Sequence, residues 1–415
     1  MTEFHQRRPL FVLLGASAIS QAGNSLTALA IPWYVLETTG SAARAGVVAF
    51  AGLVPMVLAS FFGGAVVDLL GFKRASILSD LASGLTVAAI PLLAVTIGLQ
   101  FWHLLLLTFL GALLDAPGTT ARMSLTPDLA RLAAMPLARM NALAQSTSGS
   151  VSLLGPILAG VLVVAVGPRD VLWLDAASFA VSAALVAIAV PTAKREIVDG
   201  ESRSVDLLGG LRYLLADRLV LAIALTATVV NFLAAPLFSV ILPVYARVTF
   251  GAATDLGLLI GGFGGGTIAG SVLYGAVGPR LPRRDSLIAG FLLLGLPLFL
   301  LAIEPPLWVA LLALVISGAG AGVINPLAIT VLQERIPEAI RGRVFGAFMA
   351  AVLVAAPLGV LLAGFLSEIV GVRACLVGIS TALVLVALSM LANPALRELD
   401  TALRTDSFAP EPGAD

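Results

Sequence analysis

Asp115 has the most chemistry to offer in this sequence. It stands in LLDAPGTTAR, more than ten residues into an apolar run, with Pro117 close behind. An ionisable side chain at such depth is costly to hold in lipid and marks a function by default. A carboxylate there can take a proton from one side and release it to the other as its surroundings change. Two plainer readings stand beside that one: an ion pair with Arg122 two turns on, or a cap at the break made by Pro117. Uncharged polar groups reach similar depth at Gln21, Asn24, Asn231 and Asn325, with Trp33, Phe232 and Phe238 nearby as apolar or stacking surface. These groups can bond a substrate or one another between helices. No cluster of basic residues accompanies them. That argues against phosphate esters and polyanions, and for a bulky amphipathic solute that is uncharged or cationic. Asp80 and Asp175 lie about one turn inside their runs and read as snorkelling or paired near a membrane surface; Glu368 sits close to a run's end.

Other chemistry is scarce. His5, His103 and Cys375 are the only histidines and cysteine. They build no nucleophile, acid–base pair or metal set, so no enzyme activity, metal or cofactor is expected. There is no GxxxxGK[ST] loop, so ATP drive would need a separate subunit. With 24 basic and 24 acidic residues, the net charge of +0 gives no footprint for nucleic acid.

The elements that carry these residues are membrane helices. The chain of 415 residues is 59% hydrophobic and 12% charged. A soluble domain is roughly 45–50% apolar and ~25% charged. About 245 apolar residues, at ~20 per crossing, fill about twelve spans. Polar breaks, several marked by Pro168, Pro191, Pro279, Pro305 and Pro306, place the spans at 10–36, 45–70, 75–98, 102–124, 138–166, 170–190, 219–246, 254–278, 285–303, 306–332, 338–369 and 373–393. The opening apolar run is too long for a signal-peptide core and is taken as the first span. With the N-terminus inside, all but Arg44, Arg169, Arg247 and Arg373 of the 24 Lys and Arg fall on the cytoplasmic side. That bias supports the count and the orientation together. A multi-pass protein of the cell membrane, with both termini cytoplasmic, is therefore expected.

The longest polar stretch, 192–218, carries 10 charged residues in 27 and divides the spans into two sets of six. Its second part, VDLLGGLRYLLADR, reads as a short amphipathic helix on the inner face. The expected domains are thus bundles at 1–191 and 219–393, the linker at 192–218, and a disordered cytoplasmic tail at 394–415. LLGPILAGVLVVAVG at 153–167 and PLGVLLAGFLSEIVG at 357–371 share eight identities in fifteen at an offset of 204. Arg139 and Arg343 share that offset. Two similar six-span halves form the parallel repeat of a transporter, with its site near mid-membrane. The fold expected is all-α, with twelve transmembrane helices in two pseudo-symmetric six-helix bundles. Gln145, Gly149, Ser152, Pro156 and Gly160 share one face of span five. In span eight, Gly257, Gly261 and Gly265, with Gly262, Gly266 and Gly270, form two ladders suited to close packing.

GGAVVDLLGFKR at 63–74 resembles the inner-loop signature of the major facilitator superfamily. Gly64, Asp68, Gly71, Lys73 and Arg74 match it, and Leu69 stands where a basic residue is usual. The resemblance implies a conformational latch between Asp68 and the opposite half near Arg341 and Arg343; an ordinary loop ion pair is the alternative. GPILAG at 155–160 resembles the fifth-helix signature of proton-driven exporters in that superfamily, with Ala159 in place of a common Gly. There Gly155, Pro156 and Gly160 either bend the helix and set direction or simply pack. QERIPEAIRGRVFGAF (333–348), NFLAAPLFSVILPVYAR (231–247), LGLLIGGFGGG (256–266) and LTPDLARLAAMPLARMNALAQS (125–146) are similar to the macrolide- and siderophore-efflux branch, the enterobactin-exporter-like carriers. The resemblance implies a monomeric exporter of a drug, macrolide or siderophore by proton antiport. An importer of a sugar or metabolite with the same fold, a polytopic membrane enzyme and a non-transporting scaffold are the rivals.

Overall fold

The computed structural model describes residues 2–191, 207–337, 340–393, 396 and 399, with side chains at 2–6, 60–66, 68, 137, 138, 207, 208 and 279 left aside. Among the described residues there is no strand. Long helices fall where the apolar runs do, because a chain in lipid must bond its own backbone groups within each segment. They are α1 (Thr2–Thr39), α2 (Ala42–Leu70), α3 (Phe72–Thr96), α4 (Phe101–Leu132), α5 (Leu137–Val166) and α6 (Val171–Ala189). After the short α7 (Leu207–Ala216) come α8 (Arg218–Thr249), α9 (Ala253–Val277), α10 (Arg283–Leu301), α11 (Leu307–Arg335), α12 (Arg341–Ile369) and α13 (Val372–Ala392). Eleven are long and apolar enough to cross a bilayer. The remaining long helix, α1, also has the length, and its apolar run is diluted by Ser20, Gln21, Asn24 and Ser25. Helix ends sit where the sequence has glycine: Gly71 and Gly167 take φ of 78° and 92°, a region open to Gly at little cost, and stop α2 and α5. Large side chains such as Ile188, Ile303, Trp308 and Ile369 face outward, toward lipid.

Two compact units result. The first holds the described residues to 191 with 235–261 and 356–372. Within it α1 packs on α2, α4, α5 and α6, α3 packs on α4 and α6, and α2 packs on α4. One core cluster joins Leu10, Leu13, Leu125, Leu129, Met140 and Val186 from four helices. The start of α9 lies on α5 by backbone contact. A Cβ on Gly160 would fall 2.5 Å from the carbonyl of Ala253, and one on Gly257 2.4 Å from that of Pro156. Near the far end of α12, Glu368 accepts from Ser41 Oγ (3.1 Å) and Ala43 N (3.0 Å) at the N-terminus of α2. Glu368 therefore serves as an added cap for α2.

The second unit holds 207–234, 262–355 and 373–393. Here the other glycine ladder acts: Gly262, Gly266 and Gly270 meet Leu311, Val315 and Ala319 of α11. Of the two ladders expected in span eight, Gly257 and Gly261 meet α5, and Gly262, Gly266 and Gly270 meet α11. Residue 217 ends the α7 turn and caps α8: Asp217 Oδ1 accepts from Leu219 N (3.0 Å) and Val220 N (3.1 Å), and Oδ2 accepts from Arg335 Nε at 2.8 Å. Partial burial opposes the charge of Asp217, but the bonds from Val220, Arg335 and Leu219 outweigh it and hold the carboxyl below the usual carboxylate range. Next to it Arg283 grips Glu334 bidentately at 2.5 and 3.0 Å. The short helix expected before span seven is α7; residues 192–206 of the expected linker lie outside the described residues. So does the expected tail, apart from Leu396 and Leu399, which are buried.

Candidate functional site

The first unit encloses a cavity of about 550 Å³, within the ~300–1,000 Å³ of drug-sized ligand sites. α1 contributes Asn24, Thr27 and Ile31 to its wall, α2 Val48 and Met56, α3 Val87 and Ile90, α4 Leu107, Thr108 and Asp115, α6 Phe179 and α8 Ser239. Asp115 is the only ionisable side chain among the lining residues. It reaches the wall because Gly111 and Gly118, one turn to either side, let α4 close onto α3: a Cβ on Gly118 would meet Ser79 at 2.8 Å and one on Gly111 would meet Thr86 at 3.1 Å.

Asp115 Oδ2 accepts from Asn24 Nδ2 at 3.2 Å. Its Oδ1 has no hydrogen-bond donor and faces Arg122 Nη2 at 3.8 Å. Arg122 is already engaged, since Nη1 donates to Asp80 Oδ1 at 2.7 Å. The other oxygen of Asp80 accepts from Ser182 Oγ at 2.7 Å. Asp80 is fully buried and Arg122 is 6% exposed. Asp80 thus does not snorkel: its helix turns it inward, where α4 supplies the cation. Asp115 thus lines the cavity and faces Arg122 as the ion-pair reading expected, with the contact long because Asp80 holds the guanidinium.

A third carboxylate lies beside this group. Asp175 is fully buried and accepts from the hydroxyls of Thr27 and Ser178, the latter at 3.2 Å. Snorkelling fails for it too, because α6 packs that face against α1. Gly23 makes room, as a Cβ there would fall 2.3 Å from Asp175 Oδ1. Sequence reasoning takes Asp80 and Asp175 as snorkelling or paired near a surface and Arg122 as an alternative partner of Asp115, and does not join the three in one group. The only signal was their charge inside apolar runs.

It also missed the π turn Leu237–Ile241 in α8, which brings Ser239 to the cavity. Such turns often mark functional sites, and Pro236 and Pro243 on either side were its only trace in the sequence.

Of the expected substrate contacts, Asn24 lines the cavity. Gln21, Trp33 and Phe238 belong to the same unit but are not among the lining residues; Trp33 is buried in the packing. Asn231, Phe232 and Asn325 belong to the second unit, and Asn325 is exposed. Of the helix-five set, Gly155 abuts Ser25 on α1, while Pro156 and Gly160 abut α9, and α5 is unbroken through Pro156. Of the latch set, Gly71 ends α2, Lys73 is half-buried and Arg74 exposed at the start of α3. Arg341 Nε donates to the carbonyl of Ile336 at 3.4 Å, and Arg343 presents its backbone carbonyl to Gly210 of α7. Gly64 lies within α2; the side chain of Asp68 lies outside the described residues, and with it the expected latch. Among the described residues no three His, Cys, Asp or Glu side chains gather as a metal site.

The sequence is similar to known carriers over nearly its full length. Residues 6–414 match the family model described as transmembrane secretion effector. The chain is 32% identical over 407 residues to the multidrug efflux pump Tap of Mycolicibacterium fortuitum, covering 96% of this chain and 98% of that protein. It is 21% identical over 368 residues to macrolide efflux protein A of Streptococcus pyogenes, covering 88% and 90%. The crystal structure of the nucleoside transporter NupG superposes with a TM-score of 0.75 at 13% identity, over 92% of this chain and 98% of that one, a likeness of fold alone. The long helices, the two similar halves and the loop signature at 63–74 thus have one explanation: the chain belongs to the transmembrane secretion effector family of the major facilitator transporters.

Proposed function

We propose that this protein is a secondary active transporter that exports bulky, amphipathic, uncharged or cationic molecules in exchange for entering protons. One observation carries the reading: a drug-sized cavity, otherwise lined by apolar side chains, hydroxyls and the amide of Asn24, contains a single carboxylate whose Oδ1 lacks a hydrogen-bond donor. A cationic or amine-bearing solute and a proton can compete for that oxygen. Binding of one then releases the other, which is the thermodynamic basis of exchange. Arg122 is too committed to Asp80 to neutralise Asp115 fully. The relatives named as multidrug and macrolide efflux proteins support export, and drug and macrolide classes as substrates.

In this reading the protein lies in the cell membrane with both termini cytoplasmic, as the distribution of Lys and Arg favours. The halves at 1–191 and 219–393 rock about the site. The bilayer, the solute and protons are the only partners required; the working unit is the monomer, and no catalytic step is involved. Gly64, Asp68, Gly71, Lys73 and Arg74 with Arg341 and Arg343 latch one state. The close α5–α9 seam at Pro156 and Gly160 is where sliding occurs. The test is accumulation of a panel of drugs, macrolides and siderophores in expressing cells, with and without an uncoupler. Lower accumulation that the uncoupler abolishes is expected. Accumulation unchanged by expression for every compound, or lowered equally with the uncoupler present, contradicts the reading.

A further inference from the structure

α1 touches two carboxylates on two other helices from one face. Asn24 donates to Asp115 of α4, and Thr27, three residues on, donates to Asp175 of α6. Residues three apart on a helix are neighbours. Asn24, Thr27 and Asp115 line the cavity, while Asp175 behind Thr27 is fully buried.

Among the described residues no opposite charge is recorded in contact with Asp175: it has no ion pair within 4.0 Å, and its recorded contacts are hydroxyls. α1 carries no titratable residue between Arg8 and Tyr34. α3 brings Asp80, which is occupied with Arg122 and Ser182. α4 brings Asp115 and Arg122. α5 has a single titratable residue, Arg139, at its beginning. An ionised carboxylate buried without a counter-charge is strongly disfavoured, more so in a membrane. A metal cation has no room there: Thr27 and Ser178 touch the carboxylate directly, and the backbone of Gly23 seals its other side.

We propose that Asp175 is a second proton-binding site in series with Asp115, reached from the cavity through the hydroxyl of Thr27. The step balances. Thr27 passes its own hydroxyl proton to the Asp175 carboxylate and takes one from the cavity, so Thr27 stays neutral, Asp175 becomes a neutral acid and the cavity loses one proton. The reverse sequence returns it. This deepens the exchange proposed above and rests on it: the one guanidinium of the group is held by Asp80 and lies 3.8 Å from Asp115, while Asp175 contacts hydroxyls, which leaves Asp115 and Asp175 as two positions for protons.

The experiment counts protons released when erythromycin binds the purified full-length protein in weakly buffered detergent containing a pH dye. Asn has the shape of a neutral carboxylic acid but cannot exchange the proton, so Asp175→Asn should bind erythromycin and release about half as many protons as wild type. Thr27→Val should show the same deficit on the timescale of binding, and Thr27→Ser should restore it. Should Asp175→Asn fail to fold, the Thr27 pair decides the matter. Wild-type proton counts in Asp175→Asn, or in Thr27→Val, overturn the second site while leaving exchange at Asp115 intact. No proton release from wild type on binding contradicts the exchange reading itself and the second site with it.

Discussion

Arg122 bridges two carboxylates on two helices: its guanidinium lies 2.7 Å from Asp80 on α3 and 3.8 Å from Asp115 on its own α4. A buried pair is costly to break from one side, because the partner is left as an uncompensated charge. Arg122→Ala and Asp80→Ala should each destabilise the first unit by about 3–5 kcal/mol, read as a lower melting temperature of the purified protein. The double change Asp80→Asn with Arg122→Gln removes both charges of the tight pair, leaving only Asp115 without its more distant cation, and should recover part of that loss. Single variants that melt like wild type would show that the pair is not a structural tie.

Asp115→Asn keeps the acceptor for Asn24 but removes the titrating group. Gradient-driven export should be abolished, and equilibrium binding of erythromycin should weaken and lose its competition with protons. The measurement pairs transport in cells with binding by the purified variant. Full export by Asp115→Asn refutes the assignment of this carboxylate.

Gly257 and Gly275 share α9 but face different surroundings. A Cβ on Gly257 would fall 2.4 Å from the carbonyl of Pro156, whereas nothing lies within 4 Å of one on Gly275. Overpacking of this kind costs about 1–3 kcal/mol. Gly257→Ala should lower both melting temperature and transport, and Gly275→Ala should leave both near wild type. Equal behaviour of the two would remove the α5–α9 seam from the account.

Asp217 links the α7–α8 junction to the end of α11, and its carboxyl is held below the ordinary range. A group whose folded value is depressed contributes stability that is complete above its unfolded value of ~3.9 and disappears as pH falls through the folded one. Asp217→Asn should therefore be less stable than wild type by about 1 kcal/mol at neutral pH, the scale of a helix cap. The difference should shrink toward zero in acid. A gap independent of pH would mean that the charge of Asp217 contributes nothing.

The spans were legible because lipid permits one solution for a long apolar segment, and the periods and breaks of the sequence report it directly. The glycine ladders of α9 were legible for a similar reason, since spacing on one helix fixes which residues share a face. Asp115 and Asn24 announced themselves by polarity at depth. The tie between Asp80 and Arg122 did not. It depends on the register of α3 against α4, set by Gly111, Gly118 and the small serines of α3, and no local pattern encodes that register. Asp175 read as snorkelling or paired near a surface because its distance from the helix end was visible and the packing of α1 over it was not. The π turn at Leu237–Ile241 escaped because one extra residue in a helical turn leaves the apolar pattern nearly unchanged. The side chain of Asp68, the clearest motif residue, lies outside the described residues.

The claim at the centre is that proton entry drives export through the Asp115 cavity. Everted membrane vesicles with an imposed acidic lumen measure it most directly. The account predicts that they accumulate erythromycin only while the pH gradient lasts, lose it on adding an uncoupler, and fail to accumulate it when they carry Asp115→Asn. Accumulation that persists without a gradient, or that occurs only in right-side-out vesicles, would contradict it.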